Sequence, residues 1–438
     1  MRGRRAPFHS AARAHELDEG YMRRMEMAMH DLGIRGNEGG REVASDRRSR
    51  AADVEPTRPT KAAQERVLAS DTTIGTQLEK IGTKAIENGG LNWDRPPVLV
   101  TKVDLSDRPL LCADALDDQV AIGGSDHDVH VVDAKKKREI RKLNHARNGH
   151  KEWVTCVKWL SDGRLLSGSM DSYLCLWNKH GNVCEHLHGH QGTVSDLVVL
   201  HDSQKAITSS YDKTIRIWDV SAGRKRKARE MGVAKCHSAP VLLLRANNSH
   251  ALVSGCRGGN VSITDTATLK QVWGQTIAHE GHVTALEWLD ENCMMSGGQD
   301  GCICLWDRRC PTKLGTVPSH KHNTGTGAVG FLGMVGSYIV SAGADKVVKI
   351  HSLTNDFRVL FSQRTDDFVY SCFVSGRQIF VGLGNGICII FDVQKLSCLA
   401  NFQANGSGLR CICNSGPSLF TAGDDGKFAA FQAMSASG

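Results

Sequence analysis

The chain lacks the features that mark membrane-spanning and secreted proteins. None of its apolar runs reaches the eighteen residues of a membrane-spanning helix, and no apolar stretch lies close to Met1, so we expect no secretory signal. The Arg-rich residues 1–14 fit either a solvated basic terminus or a mitochondrial presequence. We expect a soluble, intracellular, cytoplasmic protein, with nuclear or cytoskeletal association as open alternatives.

Cysteine is absent before Cys112, although the chain has 15 cysteines in all. Most of them lie in apolar, strand-like runs, where a thiol behaves as a small hydrophobe, and without a secretory signal we expect no disulfide framework. Cys302 and Cys304, like Cys411 and Cys413, would share a strand face. Structural zinc usually requires a wider gap and a second pair, so we expect no metal site and no cofactor.

The composition changes near residue 95, which predicts a domain of residues 1–95 and a second of residues 96–438. Residues 37–60 are polar and charged and are interrupted by Pro56 and Pro59, a composition that favours disorder. Apolar residues recur at helical spacing from Leu17 to Leu32 and from Ile74 to Ala85. These two helices either pack on the rest of the protein or dock in a partner's groove. From residue 96 onward, short β-branched runs alternate with Gly, Asp and Asn turns, which is typical of strands.

The second domain is built from an internal repeat. The segment SSYDKTIRIWDV, residues 209–220, places an Asp six residues before a Trp, and similar units recur about every 40–46 residues. The position of that Asp is occupied in eight successive units by Asp126, Asp171, Asp212, Gly258, Asp300, Asp345, Asn385 and Asp425. A period of about 40–45 residues is typical of propeller blades, and Asp satisfies backbone donors in tight turns.

This repeat resembles the WD40 (G-beta-like) family, and the resemblance covers about residues 96–438. It implies an all-β propeller, with one four-stranded blade for each unit. In the family, a His, a Ser or Thr, the Asp and the Trp form a hydrogen-bonded tetrad in each blade. The matching sets here are His150, Ser167, Asp171 and Trp177; His190, Thr208, Asp212 and Trp218; and His279, Ser296, Asp300 and Trp306.

Other units depart from the pattern, so we expect them to be unable to build the whole network and to be either less rigid or held by their neighbours. The fourth has Gly258 and Thr264 for Asp and Trp, the sixth has His351 for Trp, and either His320 or His322 opens the sixth. The seventh has Asn385 and Phe391, and the first and eighth lack the Gly-His opening. The last unit ends after its third strand, at Phe431. Since exposed sheet edges invite aggregation, we expect residues 98–105 to supply the fourth strand and close an eight-bladed ring. Seven blades, with one unit packed outside, is the alternative.

The Ser, His and Asp residues do not predict an enzyme. A catalytic triad occurs once and needs an oxyanion hole, whereas this set recurs three times at blade spacing, as a structural tether would. Residues 384–390, GNGICII, also lack the Gly-Lys-Ser/Thr ending of a phosphate-binding loop. We therefore expect no catalysis and no small-molecule substrate, and a protein whose partners are other proteins.

The family resemblance makes the face that carries the Asp turns the expected docking surface. Its rim would include Trp153, Met170, Tyr211, Arg257, His282 and Gln299. The first three, on adjacent blades, would form one patch, unless Trp153 packs on its own blade. The opposite face would carry two basic loops, Lys135, Lys136, Lys137 and Arg138, and Arg224, Lys225, Arg226 and Lys227. Such loops attract acidic proteins, the cytoskeleton or nucleic acid, or are simply solvated. Because no aromatic stacking positions accompany them, nucleic acid is not the expected partner.

Residues Trp306 to Arg309, WDRR, resemble the W-D-x-R box of propellers that are substrate receptors of cullin–RING ubiquitin ligases. That resemblance implies adaptor contacts by Asp307 and Arg309. The leading interpretation is a non-enzymatic scaffold within a multiprotein complex. A ligase receptor is the second, and a protein associated with nucleic acid or ribonucleoprotein is the third.

Overall fold

The described part of the chain consists of strands joined by turns and loops. A computed structural model describes Trp93 and residues 96–200, 204–221, 227–247, 249–322, 325–353, 357–415 and 418–433. The two expected helices and the linker at residues 37–60 lie outside these ranges. Eight four-stranded antiparallel sheets follow one another along the chain, so the prediction of an eight-bladed propeller is confirmed and the seven-bladed alternative is wrong.

The blades take their strands in sequence order. Blade 1 consists of β2 (Leu110–Leu116), β3 (Gln119–Gly124), β4 (Val129–Asp133) and β5 (Arg138–Leu143). Blade 2 consists of β6 (Val154–Trp159), β7 (Leu165–Ser169), β8 (Leu174–Trp177) and β9 (Cys184–Leu187). Blade 3 consists of β10 (Val194–Val199), β11 (Lys205–Ser210), β12 (Ile215–Asp219) and β13 (Arg229–Ala234), and blade 4 of β14 (Val241–Ala246), β15 (Ala251–Cys256), β16 (Val261–Asp265) and β17 (Gln271–Gln275).

The second half of the ring continues the series. Blade 5 consists of β18 (Val283–Trp288), β19 (Cys293–Gly298), β20 (Cys302–Asp307) and β21 (Gly315–Pro318). A small hairpin of β22 (Lys321–His322) and β23 (Gly325–Thr326) precedes blade 6, which consists of β24 (Val329–Val335), β25 (Tyr338–Gly343), β26 (Val347–Ser352) and β27 (Val359–Arg364). Blade 7 consists of β28 (Val369–Ser375), β29 (Gln378–Leu383), β30 (Ile387–Asp392) and β31 (Ser397–Gln403).

The ring closes with strands from both ends of the propeller. Blade 8 takes β32 (Leu409–Ser415), β33 (Ser418–Gly423) and β34 (Lys427–Gln432) from the end of the chain, and β1 (Val98–Asp104) pairs antiparallel with β34 as the outer strand. Trp93 lies just before β1 and is buried, with its ring 5.5 Å from that of Phe380 in blade 7. The buried part of the propeller therefore begins before residue 96.

The hydrophobic core lies between adjacent blades. One cluster joins Leu166 and Leu176 of blade 2 to Leu197 and Trp218 of blade 3. Each innermost strand carries a register shift after its first residue, as between Val154 and Cys156. A side chain near this bulge ties several blades to the next. Thr155 Oγ1, for example, donates to the carbonyl of Val194, 2.5 Å away.

Every blade also repeats one turn between its second and third strands. The residue that follows the Asp position has a positive φ in all eight blades: His127, Ser172, Lys213, Gly259, Gly301, Lys346, Gly386 and Gly426. Residues other than glycine are strained there. In the seven blades that have an Asp or Asn at the preceding position, its side chain accepts a hydrogen bond from an amide within the turn.

Candidate functional site

Three blades contain the complete tetrad of side chains. In blade 3, His190 Nδ1 donates to Asp212 at 2.9 Å, Thr208 Oγ1 lies 2.7 Å from His190 Nε2, and Trp218 Nε1 donates to Thr208 at 2.8 Å. The corresponding distances are 3.0, 2.8 and 2.9 Å in blade 2, from His150, Ser167, Asp171 and Trp177, and 3.1, 2.7 and 2.8 Å in blade 5, from His279, Ser296, Asp300 and Trp306.

The carboxylates of these tetrads are ionised and fully engaged. Burial pushes the pKa of Asp212 upward, but hydrogen bonds from Thr214, His190 and the amide of Gln191 outweigh burial and hold it at about 2. The same balance lowers the pKa of Asp300. Each carboxylate accepts bonds from its own turn and from the loop that enters the blade, so the tetrad clamps two loops to each other.

Blades 6 and 8 build networks from other residue types. Blade 6 links all four positions, so our expectation that it could not build the whole network is wrong, whereas blade 8 links three. In blade 6, His320 contacts both Asp345 and Ser341 at 2.9 Å, and His351 takes the place of Trp, 3.1 Å from Ser341.

In blade 8, Asn405 takes the place of His. Its Nδ2 donates to Asp425 and its Oδ1 accepts from Thr421, both at 2.8 Å. An amide has both a donor and an acceptor, as a neutral imidazole does, and can therefore bridge the same two partners.

Blade 1 replaces the tetrad by a buried histidine held between two carboxylates. His130 lies 2.9 Å from Asp126 and 2.7 Å from Glu139. Burial alone would lower the pKa of His130, but the two carboxylates outweigh it and raise the pKa.

Blade 4 has only part of the tetrad. His237 Nε2 lies 2.7 Å from Ser254, whereas its buried Nδ1 makes no hydrogen bond with any described residue, because Gly258 stands at the Asp position. Burial lowers the pKa of His237 to about 4.

One backbone hydrogen bond repeats eight times around the face that carries the Asp turns. The residue before each Asp position donates its N–H to the residue before each innermost strand, at 2.8–3.0 Å. The donors are Ser125, Met170, Tyr211, Arg257, Gln299, Ala344, Gly384 and Asp424, and the acceptors are Pro109, Trp153, Thr193, Pro240, His282, Ala328, Phe368 and Gly408. All six residues predicted for the rim belong to this set of sixteen, which we call the rim.

The rim differs in chemistry from blade to blade. On blades 2 and 3, Met170 and Tyr211 are 39% and 43% exposed, and Trp153 is half-buried beside Met170. On blades 4 and 5, Arg257 Nε lies 3.3 Å from His282 Nε2, and Gln299 Oε1 accepts from the amide of His282 at 3.3 Å. The predicted residues thus divide into an apolar part and a hydrogen-bonded part.

On the other side of the ring, the rim meets a polar cluster that sequence reasoning missed. Arg410 stacks over the ring of Tyr370 at 4.1 Å and donates two hydrogen bonds to Asp424, at 2.8 and 3.0 Å. A cavity of about 330 Å³ adjoins it, lined by the innermost strands of blades 1, 6, 7 and 8. The signal was present in the sequence, since Asp424 occupies the same repeat position as Met170 and Tyr211.

The predicted adaptor box forms a compact ion pair. Asp307 is buried, and both of its oxygens accept from Arg309, at 2.5–3.1 Å, while half of the Arg309 side chain stays exposed. This pairing raises the pKa of Arg309. A cavity of about 310 Å³ lies beside it, lined in part by Trp273, Arg308 and Arg309.

The first basic loop is partly neutralised by acids of its own blade. Lys135 pairs with Asp118 at 2.6 Å and Lys136 with Asp133 at 3.1 Å, while Lys137 and Arg138 are exposed. In the second loop Lys227 is exposed, and Arg224, Lys225 and Arg226 lie outside the described residues. Among the described residues, no helix is long and apolar enough to cross a membrane.

Comparison with known proteins gives the same architecture. The family model "WD domain, G-beta repeat" matches residues 141–178, 181–219 and 273–307, which include the Asp and Trp of the three complete tetrads. The chain is 28% identical over 273 residues to the small ribosomal subunit protein RACK1 of Neurospora crassa, a match that covers 58% of this chain and 82% of that protein.

Two further similarities extend this result. The chain is 26% identical over 189 residues to the p21-activated protein kinase-interacting protein 1-like of Danio rerio, covering 43% of this chain and about half, 48%, of that relative. The structure of Chaetomium thermophilum Sqt1 bound to the N-terminus of the ribosomal protein L10 superposes with a TM-score of 0.67 at 13% identity, covering 77% of this chain and 100% of that one. With three repeats that match the WD40 family model, its tetrads and its eight blades, the chain is a WD40-type β-propeller.

Proposed function

We propose that the protein is a non-catalytic scaffold that binds another protein across the apolar part of the rim, at Trp153, Met170 and Tyr211. The observation that carries this proposal is the exposure of Met170 and Tyr211 at equivalent positions of adjacent blades. Tyr and Trp dominate the energetics of many interfaces, and Met adapts to varied partners. The rigid tetrads of blades 2 and 3 hold the turns that present these side chains, so little order would be lost on binding.

The test is a comparison of two charged variants by quantitative affinity purification. Met170→Asp combined with Tyr211→Asp should reduce the recovery of specific partners by at least about tenfold, since each removes an apolar contact and buries a charge. Met231→Asp is the matched control, because Met231 is 49% exposed but lies on the outer strand β13. Equal recovery from the rim variant and the control would refute the proposal.

We further propose that the partner belongs to ribonucleoprotein machinery in the cytoplasm. RACK1 is named as a protein of the small ribosomal subunit, and Sqt1 was solved with the N-terminus of a ribosomal protein. These names support the proposal for this chain. Co-sedimentation with ribosomal particles, lost in the rim variant and kept in the Met231 control, is the expected result. A protein that stays in the soluble fraction at all salt concentrations would count against it.

A second candidate is the ligase receptor, which the exposed half of Arg309 and the adjoining cavity favour. Arg309→Ala should then abolish adaptor binding, while Arg308→Ala should leave it unchanged, because Arg308 hydrogen-bonds to Asn292 instead of Asp307. Since Arg309 also neutralises the buried Asp307, thermal unfolding must be measured beside binding. If Arg309→Ala only lowers the thermal stability and the wild type captures no adaptor, this candidate is refuted.

The third candidate, association with nucleic acid, depends on the basic loops. It predicts binding that weakens steeply with salt, and a smaller salt slope when Lys137 and Arg138 are changed to Gln. Lys135→Gln with Lys136→Gln should have a smaller effect, because these two lysines already pair with acids. Binding that does not change with salt would exclude this candidate.

A further inference from the structure

A group of soft metal ligands lies at the third and fourth strands of blade 2. Cys175 on β8 and Cys184 and His186 on β9 each place a donor atom within 4.8 Å of the other two. Both cysteines are buried, and His186 is half-buried. Strand pairing brings them together, because Cys175 is opposite His186 and Trp177 is opposite Cys184.

The same two strand positions hold interacting polar pairs in the neighbouring blades. Blade 1 has His130 with Glu139, and blade 3 has Arg216 with Glu230. These pairs share protons or charge across the two strands. Blade 2 instead has the thiols of Cys175 and Cys184 in contact with each other, so its place in the repeat is filled by groups that share a metal ion readily.

Surrounding groups hold the imidazole of His186 in place. Its ring stacks on Tyr173 at 5.0 Å and meets His188 edge-on at 5.5 Å. Its Nε2 donates to the carbonyl of Asn148 at 2.6 Å, and the same carbonyl lies 3.6 Å from the Cys175 sulfur. Metal-ligating histidines are commonly oriented in this way by a carbonyl on the second nitrogen.

We propose that Cys175, Cys184 and His186 bind one zinc ion, with the fourth coordination position open towards solvent at the edge of the blade. Zinc bonds of about 2.3 Å to sulfur and 2.0–2.1 Å to nitrogen place tetrahedral ligands about 3.5–3.8 Å apart. The three donor atoms lie within 4.8 Å of one another, so side-chain rotations that move each atom by about 1 Å bring them to these separations.

Charge balance selects a divalent ion at this position. Each bound cysteine gives up its proton to become a thiolate, so two thiolates, a neutral imidazole and Zn²⁺ sum to zero. A monovalent ion such as Cu⁺ would leave a net negative charge among buried side chains, which is costly. The exposed His188 follows β9 with its ring 5.5 Å from that of His186 and is not one of the three clustered ligands.

Cobalt titration of the reduced full-length protein, purified without a histidine tag, tests the proposal. The expected result is one equivalent of Co²⁺ with sulfur-to-cobalt charge-transfer absorption and the intense visible bands of tetrahedral coordination, both removed by Zn²⁺. Cys175→Ser and Cys184→Ser should each weaken binding by at least about 100-fold, more than a change outside the ligand shell. His188→Ala should change the affinity only slightly.

Cys398→Ser is the matched control, because Cys398 is an exposed cysteine on the outer strand β31. The Cys398→Ser variant should bind cobalt as the wild type does. Native mass spectrometry of the wild type should also show one zinc ion bound to each chain, a readout that does not depend on the folding of any variant. Cobalt absorption that survives in the Cys175→Ser/Cys184→Ser protein would overturn the proposal. So would a Cys175–Cys184 disulfide, seen by mass, in a protein that binds no metal when reduced.

Discussion

Gly258→Asp supplies the carboxylate that blade 4 lacks. In blades 2 and 3 the corresponding Asp precedes a residue of φ 70 or 71, and Gly258 precedes Gly259 with φ 78. The turn therefore has the same shape, and a new side chain would enter it from an ordinary backbone conformation. A Cβ at Gly258 would lie 3.2 Å from the Cβ of Ala239, so a small shift of that loop is needed.

The present state of His237 determines the size of the effect. Burial lowers its pKa to about 4, whereas an unfolded histidine titrates near 6.5. As the pH falls below 6.5, the unfolded chain binds a proton that the folded chain refuses, so the protein loses stability. Between pH 7 and pH 5 this one group costs about 2 kcal/mol.

A carboxylate beside His237 opposes the effect of burial and weakens that dependence. Burial still lowers the pKa of His190, which has Asp212 beside it, so the dependence is reduced and not reversed. The carboxylate accepts a hydrogen bond from Nδ1 of His237, and Nε2 then accepts a hydrogen bond from the Ser254 hydroxyl. The folded-state pKa of His237 rises. A hydrogen bond to a charged group contributes about 1.5–3 kcal/mol, and crowding against Ala239 takes back part of this. We expect a gain of about 1–2 kcal/mol at pH 7 and a larger gain at pH 5, where the difference reaches at most about 2 kcal/mol more.

Urea unfolding at the two pH values, with Gly258→Ala and Gly258→Asn beside the wild type, measures these gains. The Ala variant isolates the crowding, and the Asn variant adds an acceptor without charge. The reasoning would be refuted if Gly258→Asp gained no more at pH 5 than at pH 7, or if the Ala variant gained as much.

Three further predictions concern stability. Asp212→Ala removes four hydrogen bonds and should lower the free energy of unfolding in urea by about 3 kcal/mol. Because the pKa of Asp212 is lowered to about 2, this loss of stability relative to the wild type should be complete above pH 4 and shrink as the pH falls towards 2. Trp93→Ala should cost about 3–5 kcal/mol, since the buried ring leaves a cavity beside Phe380, and an unchanged midpoint would mean that the ring is not packed there. Asn405→Ala should cost about 2–3 kcal/mol by stranding Asp425 and Thr421, and Asn405→His should cost less if the imidazole bridges the same partners.

The sequence was sufficient to predict the number of blades because the turn that defines each repeat is local. An Asp followed by a residue of positive φ, six positions before a Trp, depends on contacts within a few residues. The offsets of His190 and Thr208 follow from that register. Interpretation of the sixth unit was harder, because the extra hairpin at β22 and β23 separates His320 from its blade and His351 replaces the Trp.

What could not be predicted depends on contacts between distant parts of the chain. Arg410 meets Tyr370 because two innermost strands adjoin in the ring, and Cys175 meets Cys184 because β8 and β9 pair. Asn405 was missed because its role resides in having one donor and one acceptor, which a motif written for His does not describe. In each case the residue types were apparent from the sequence, whereas the proximity of the side chains in the folded protein was not.

The way the ring closes has a consequence for synthesis. On the ribosome β1 emerges before any blade, yet its partner β34 is made only after all the other strands of the eight blades. During that interval β1 carries unpaired backbone groups and exposed Val98 and Leu99, which makes it a target for chaperones and for unwanted pairing. A chain cut short before β34 would expose the edges of both β1 and β33, so quality control can recognise any incomplete copy by two free edges at once.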